Sequence, residues 1–280
     1  MTLAPIAEEN TPLAPGQLDA YLARIGLSRP VEIDFETLAA IHRAHFLSFT
    51  WEALDAYMGW PSSIRPQDAF AKMVEGKRGG WCYEMNGLLG AALCALGFRV
   101  TRLCAGVNRE TLGDAVFGNH LTLRIDLDQS YLAEVGVADA IIEPVPIKVG
   151  PISQRGFDFS IVETEDGWLR FKNHSVGLAR SFDFRSDRRD EAAMATAHRW
   201  LTEDPASPFT GTLAILRHTP EGYIALQNDR LRRITPFGVD EQRITSAGQF
   251  ADTLAAAFEI DIPQSRQVWK RILASRAEAA

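Results

Sequence analysis

The chain has 280 residues, 46% hydrophobic and 23% charged. That is enough for one large domain or two to three joined lobes around a proper core, and it excludes collagen-like, disordered and mini-protein classes. Lys and Arg number 29 against 36 Asp and Glu, a formal charge of −7, which disfavours nucleic-acid binding by bulk electrostatics and confines any phosphate contact to a local basic pocket. The longest charge-poor stretch, Gly87 to Phe98, is too short to span a bilayer, and Met1 to Ala20 carries Glu8, Glu9 and prolines where a secretory signal has an apolar core, so a soluble cytoplasmic protein is expected. Cys82, Cys94 and Cys104 form neither a disulfide framework nor a CxxC pair for zinc or redox exchange, which predicts at least one free thiol and no metal.

The first third predicts helices. Leu18, Tyr21, Leu22 and Ile25 follow helical spacing up to Gly26; Asp34 can cap a second helix holding Leu38, Ile41, His45 and Phe46; Pro66 opens a third that stops at Gly76. A fourth carries Met85, Leu88, Leu89, Ala92 and Leu96 and ends at Gly97, which puts Cys82 in its first turn. From Arg99 to about Arg180 short strands take over: Val100 to Val107, Leu121 to Ile125, Tyr131 to Val135 and Trp168 to Asn173. The charged run Asp183 to Glu191 reads as a solvated connector. Beyond it come a helix over Ala192 to Leu201, strands at Leu213 to Leu216 and Tyr223 to Gln227, a helix with Phe250, Leu254 and Phe258 on one face, and a last helix opening at Pro263. Helices and strands are segregated rather than alternating, which predicts an α+β fold.

The segment Arg78-Gly79-Gly80-Trp81-Cys82-Tyr83-Glu84-Met85-Asn86 carries the chemistry. A thiol at the first turn of a helix sits at the positive end of the dipole, where it ionises more easily, and the thiolate is the nucleophile. The two glycines would let backbone approach a substrate carbonyl, and amides of the turn could hold an oxyanion. A small core cysteine at a tight loop-to-helix junction is the alternative.

A nucleophilic cysteine needs a base and the base an orienting acceptor. His120, Thr122 and Arg124 alternate with Leu121, Leu123 and Ile125, and beyond Asp126-Leu127-Asp128 the alternation resumes from Ser130 to Val135. If those three residues form a hairpin loop, 125 faces 129, 123 faces 131, and His120 faces Glu134, within reach of a carboxylate–imidazole bond. A one-residue change in loop length would put the two on opposite faces. A surface His–Glu pair is the alternative. His42 and His45 are explained by a packed helix face, His174, His198 and His218 are isolated, and Cys94 and Cys104 read as core. No GxGxxG follows a strand and no phosphate-cradling glycine loop with Lys-Ser/Thr occurs, so nicotinamide and nucleotide-hydrolysis functions lack support.

With these residues in view the chain resembles the arylamine N-acetyltransferase family. The Arg78 to Asn86 run is close to the family's RGGxCxExN motif, His120 begins a strand, and Tyr131-Leu132-Ala133-Glu134-Val135-Gly136 looks like the segment that brings the triad acid. Weaker similarity lies in Tyr21 to Gly26, in Phe49 to Leu54 and in Pro205 to Phe209. The resemblance implies a helical bundle over 1–98 with the nucleophile, a β-barrel over 99–191 with the histidine and the acid, and an α/β lid over 192–280. It implies a Cys82–His120–Glu134 triad, acetyl-CoA as co-substrate beside Gly136 and Ala138, an arylamine, hydrazine or related amine acceptor beside Trp51 and Val137, and an ion network of Arg24, Glu52 and Arg78 behind the site. The sequence departs from the family pattern at Glu134, usually Asp, where an extra methylene re-aims the carboxylate; at Gly136-Val137-Ala138, where Gly-Phe-Gly is common; and at Thr50-Trp51 and Ala53, in place of Pro-Phe and Asn.

Ping-pong transfer of an acetyl group through Cys82 is the expected activity. An amide synthase acting on a bulky natural product, a cysteine hydrolase of papain or transglutaminase type, and a binding protein without turnover are the competing expectations.

Overall fold

The computed structural model describes residues 11–30 and 32–278; the signal-peptide argument for residues 1–10 lies outside them. Five helices come first: α1 (Pro15–Arg24), α2 (Phe35–Ser48), α3 (Leu54–Met58) after the two-residue strand β1 (Trp51–Glu52), α4 (Pro66–Phe70), which runs on into a wider π turn over Ala71–Glu75, and α5 (Cys82–Leu96). Their limits follow the local chemistry. Asp34 accepts the Thr37 amide at 2.8 Å to start α2, and Gly97, at φ +100°, stops α5 in a conformation that a side chain would resist.

Eight antiparallel strands then form one curled sheet: β2 (Arg99–Val107), β3 (His120–Asp126), β4 (Ser130–Ala133), β5 (Val145–Pro146), β6 (Gly150–Gln154), β7 (Phe157–Glu163), β8 (Leu169–Lys172) and β9 (Ser181–Phe184), in spatial order β5-β4-β3-β2-β9-β8-β7-β6. The two outermost strands, β5 and β6, are joined by Ile147 to Val149, so the sheet bends round towards a barrel. A short helix α6 (Arg109–Leu112) and a 3₁₀ turn (Gly113–Val116) link β2 to β3.

Helices α7 (Glu191–Glu203) and α8 (Pro208–Gly211) lead into strands β10 (Ala214–His218), β11 (Tyr223–Gln227), β12 (Arg230–Thr235) and β13 (Gly238–Arg243), then α9 (Ala247–Phe258) and α10 (Ser265–Glu278). The order of this second sheet is β1-β10-β11-β12-β13, so a strand from the helical region completes it. The fold is α+β: helical bundle, barrel-like sheet, and an α/β lid. Its larger core gathers α1, α2, α5 and the barrel, while a second core packs Phe250, Leu254 and Phe258 with Trp269 and with Leu54 and Tyr57 of α3. No helix among the described residues is long and apolar enough to cross a membrane.

The run from Asp183 to Glu191 is a solvated connector only in its middle, residues 185–190, and its two ends are buried. Asp183 is buried in β9, where it accepts from Arg170 Nε at 2.7 Å and Arg109 Nη1 at 3.2 Å, and Glu191 is buried against Arg102 Nε at 2.7 Å. Charge alone does not reveal the burial of these two ends, because the arginines that neutralise their carboxylates come from β2, α6 and β8. Cys104 is core as expected, whereas Cys94 is only half-buried.

Candidate active site

Cys82 is the first residue of α5, and it stands there because the preceding segment is locked. Gly80 N donates to Thr50 O at 3.1 Å, Glu52 N donates to Gly80 O at 3.0 Å, and Trp81 N donates to Glu84 Oε2 at 3.2 Å. Packing alone requires both glycines: a Cβ on Gly79 would lie 2.1 Å from Thr50 O, and one on Gly80 2.8 Å from Glu84 Cβ and Met73 Sδ. Beneath this turn lies a buried ion network. Arg78 reaches Glu52 at 2.6 Å and Asp55 at 2.9 Å, and Lys72 from the π turn reaches Asp55 at 2.6 Å and Glu84 at 2.8 Å. Arg24, expected to share it, instead lies over the Phe49 ring at 5.0 Å, and Lys72 and Asp55 complete the network in its place. Three carboxylates face two cations, and burial pushes the Glu84 carboxyl up to about 7.

The thiol points at the start of β3. Cys82 Sγ lies 3.9 Å from Asn119 O, and Asn119 adjoins His120. His120 Nε2 is 2.9 Å from Glu134 Oε2, with both residues buried. The hairpin that delivers Glu134 is displaced from the expected register. Asp126 pairs with Ser130, Ile125 with Tyr131 and Leu123 with Ala133, so the loop is 127–129 and His120 meets Glu134 diagonally rather than face to face. Ser130 Oγ donates to Asp126 Oδ1 at 2.6 Å, which draws Asp126 out of the loop and into the strand. The displacement is two residues, an even number, and both side chains stay on the same face.

Glu134 has both oxygens occupied. Oε2 faces His120, while Oε1 accepts from Gly136 N at 2.6 Å, Val137 N at 2.8 Å and Asn86 Nδ2 at 3.0 Å. Folding back onto its own backbone absorbs the extra methylene. Burial alone would raise this carboxyl, and its attraction to His120 together with the donated hydrogen bonds outweighs that, so it stays below its ordinary range. The Cys82 thiol moves the other way: burial, then the Glu134 charge, push it well above its ordinary range, opposed by hydrogen bonding from the Tyr83 and Leu121 backbones.

Gly136 touches the nucleophile's own backbone; a Cβ there would lie 2.9 Å from Cys82 Cα and 2.4 Å from Asn86 Nδ2. The segment that follows is held by ring N–H groups. Trp51 Nε1 donates to Gly136 O at 2.7 Å, His218 Nε2 to Ala138 O at 2.9 Å, His174 Nε2 to Asp139 O at 3.0 Å and His42 Nδ1 to Ile142 O at 2.9 Å. Val137 and Ala138 are buried among these contacts. On the opposite side Ser207 caps α8 and brings Phe209 to the rings of Trp81 at 5.3 Å and Trp51 at 6.1 Å.

The chain matches the N-acetyltransferase family model over residues 34–267. It is 30% identical over 253 residues to the arylamine N-acetyltransferase of Mycolicibacterium smegmatis, covering 88% of this chain and 92% of that protein. The chain belongs to the arylamine N-acetyltransferase family. Two solved family structures share its fold: the Mycobacterium marinum enzyme in complex with CoA, with TM-score 0.81 and 23% identity over 91% of this chain and 98% of that one, and a Bacillus cereus arylamine N-acetyltransferase described as having a unique Cys-His-Glu catalytic triad, with TM-score 0.75 and 22% identity over 89% and 100%. The family assignment makes this chain an acyltransferase.

Sequence reasoning did not single out Lys72 or Asp55, named Asn86 only as part of the motif without its bond to Glu134, and set His42 aside as part of a packed helix face. Asn86 had a signal, since it lies four residues beyond Cys82 on the same helix face. His42 had none, because its partners are 92 and 100 residues away.

Proposed function

We propose that the protein transfers an acetyl group from acetyl-CoA to an arylamine, hydrazine or related amine by a ping-pong route through Cys82. The observation that carries this is the buried bond from His120 to Glu134, set beside a thiol at the first turn of α5. Burial and the Glu134 charge both oppose a thiolate on Cys82, and in this reading His120 takes the thiol proton as the sulfur attacks. Glu134 holds the imidazole in the tautomer that can take that proton and neutralises the imidazolium that forms. Cys82 forms a thioester with the acetyl group, and His120 returns the proton to the departing thiolate of CoA. The amine then attacks the Cys82 thioester, His120 takes its proton, and the thiol is restored. Exchange of one thioester for another is nearly isoenergetic, and formation of the amide drives the second half. In this reading CoA runs beside Gly136 and Ala138, and the acceptor lies against Trp51 and Val137. The Cys-His-Glu description of the Bacillus cereus enzyme supports a glutamate in the acid's role.

The test is intact-protein mass after brief exposure to acetyl-CoA. One acetyl group is expected on the wild type and none on Cys82→Ala, and addition of an arylamine or hydrazine should discharge it. A reactive thiol that stays unacetylated would point to another acyl donor or to hydrolysis, and an unreactive one to binding without turnover. Discharge only by bulky amines would favour the amide-synthase reading.

A further inference from the structure

Glu134 stands one residue past the end of a strand. The last pair of the β3–β4 ladder is Leu123 with Ala133, so the Glu134 amide has no strand partner. It donates to His42 Nε2 at 3.0 Å, and His42 Nδ1 lies 2.9 Å from Ile142 O. An amide can only donate and a carbonyl can only accept, which fixes His42 as the neutral ring with its proton on Nδ1. One buried imidazole thus ties the acid's own backbone to the far end of the segment that follows it. Burial lowers the ring's pKa to about 4 against the pull of Ile142 O, Glu134 and Glu143, and His45 and His218 are the other titratable groups near it. The ring therefore stays neutral throughout the range in which the enzyme would work.

We propose that His42 is a positioning residue for acyl transfer, holding the Glu134 backbone so that its carboxylate keeps one oxygen on His120 and the other on Gly136, Val137 and Asn86. The inference rests on the reading of Cys82, His120 and Glu134 as the reacting relay. A hydrocarbon at 42 leaves the Glu134 amide and the Ile142 carbonyl without partners in a buried setting, and the acid then drifts to satisfy them. A misplacement of about 1 Å costs on the order of 100-fold in rate. Glutamine is the informative replacement, since its amide oxygen and nitrogen can accept and donate as the two ring nitrogens do.

The experiment follows iodoacetamide alkylation of Cys82 against pH, which reads the relay without acetyl-CoA, in wild type, His42→Leu, His42→Gln, Glu134→Gln and the His42→Leu/Glu134→Gln double variant. His42→Leu is expected to slow alkylation at neutral pH roughly 10- to 100-fold and to move its profile towards that of Glu134→Gln. His42→Gln should stay within about threefold of wild type, and His42→Leu should add nothing in the Glu134→Gln background. An unchanged profile in His42→Leu with only a lower Tm would overturn the proposal and leave the relay standing. An unchanged profile in Glu134→Gln would overturn both. A normal response in alkylation without acetylation by acetyl-CoA would remove only the donor assignment. Should His42→Leu fail to fold, imidazole ¹⁵N spectra of the wild type decide. A neutral ring protonated on Nδ1 from pH 8 to pH 5 is expected, and titration near 6.5 or a proton on Nε2 would sink the idea.

Discussion

Glu134 is held at both carboxylate oxygens. Its carboxylate spans from His120 to two amides of its own chain and to Asn86. Glu134→Gln keeps the shape and removes the charge that offsets an imidazolium; acetylation of Cys82 should fall on the order of 10³-fold with little change in Tm, as quench-flow mass spectrometry and calorimetry would show. Gly136 is constrained for another reason. Its missing Cβ would meet Cys82 Cα and Asn86 Nδ2, and a backbone atom cannot step aside. Gly136→Ala should lose roughly 1–3 kcal/mol in urea unfolding and slow alkylation of Cys82 as well, since the strain falls on the nucleophile's own turn. Much of this was legible: alternation along 120–125 and 130–135 placed the histidine and the acid on one face, and the motif placed the thiol. The register was not, because a side-chain bond from Ser130 to Asp126 decided where the loop began.

Helix α5 depends on charges behind it as much as on its own capping. Lys72 and Arg78 are shared among Glu52, Asp55 and Glu84, all buried or nearly so. Removing one cation strands carboxylates in a place that water does not reach, so Lys72→Met should cost about 3–5 kcal/mol in urea unfolding. Glu84 adds a pH dependence. Its carboxyl is held near 7 in the fold against an ordinary 4.5, so it binds a proton more tightly when folded. Its contribution is full below about 4.5 and is lost as pH rises through 7, worth up to about 3 kcal/mol. Wild-type stability measured against Glu84→Gln should therefore decline between those values, and a difference that stays flat would show that Glu84 is ionised throughout. Arg78 and Glu52 were visible in the sequence as scaffold. Lys72 and Asp55 were not, because a π turn and a five-residue helix bring them in, and neither has a local signature.

Across the whole molecule, the helical and strand regions were legible from periodicity, and the hydrophobic faces at Phe250, Leu254 and Phe258 fell where expected. What could not be read was how the regions share residues. Leu54 and Tyr57 of α3 lie in the core formed by the last two helices and the second sheet, and β1 is an edge of that sheet, although about 160 residues of chain separate β1 from its partner β10. Contacts of such sequence separation leave no periodic trace. Their energetic consequence is cooperativity: the protein should unfold in a single transition, and Phe250→Ala, about 3–5 kcal/mol by its cavity, should lower the midpoint seen by barrel and lid probes alike. Two separated transitions would show that the regions melt independently.

Residues Thr50 to Ala53 concentrate this sharing in four positions. Thr50 O and Glu52 N bind Gly80, Thr50 Oγ1 reaches Phe258 O, Trp51 Nε1 reaches Gly136 O, and Ala53 N reaches Ala214 O. The short strand is thus tied at once to the turn before the nucleophile, to the segment after the acid and to the lid. Deuterium can enter the Gly80 and Glu52 amides only when all three attachments let go. These two protons should be among the last to exchange, at a rate set by global unfolding, while the turn at 109–116 equilibrates early.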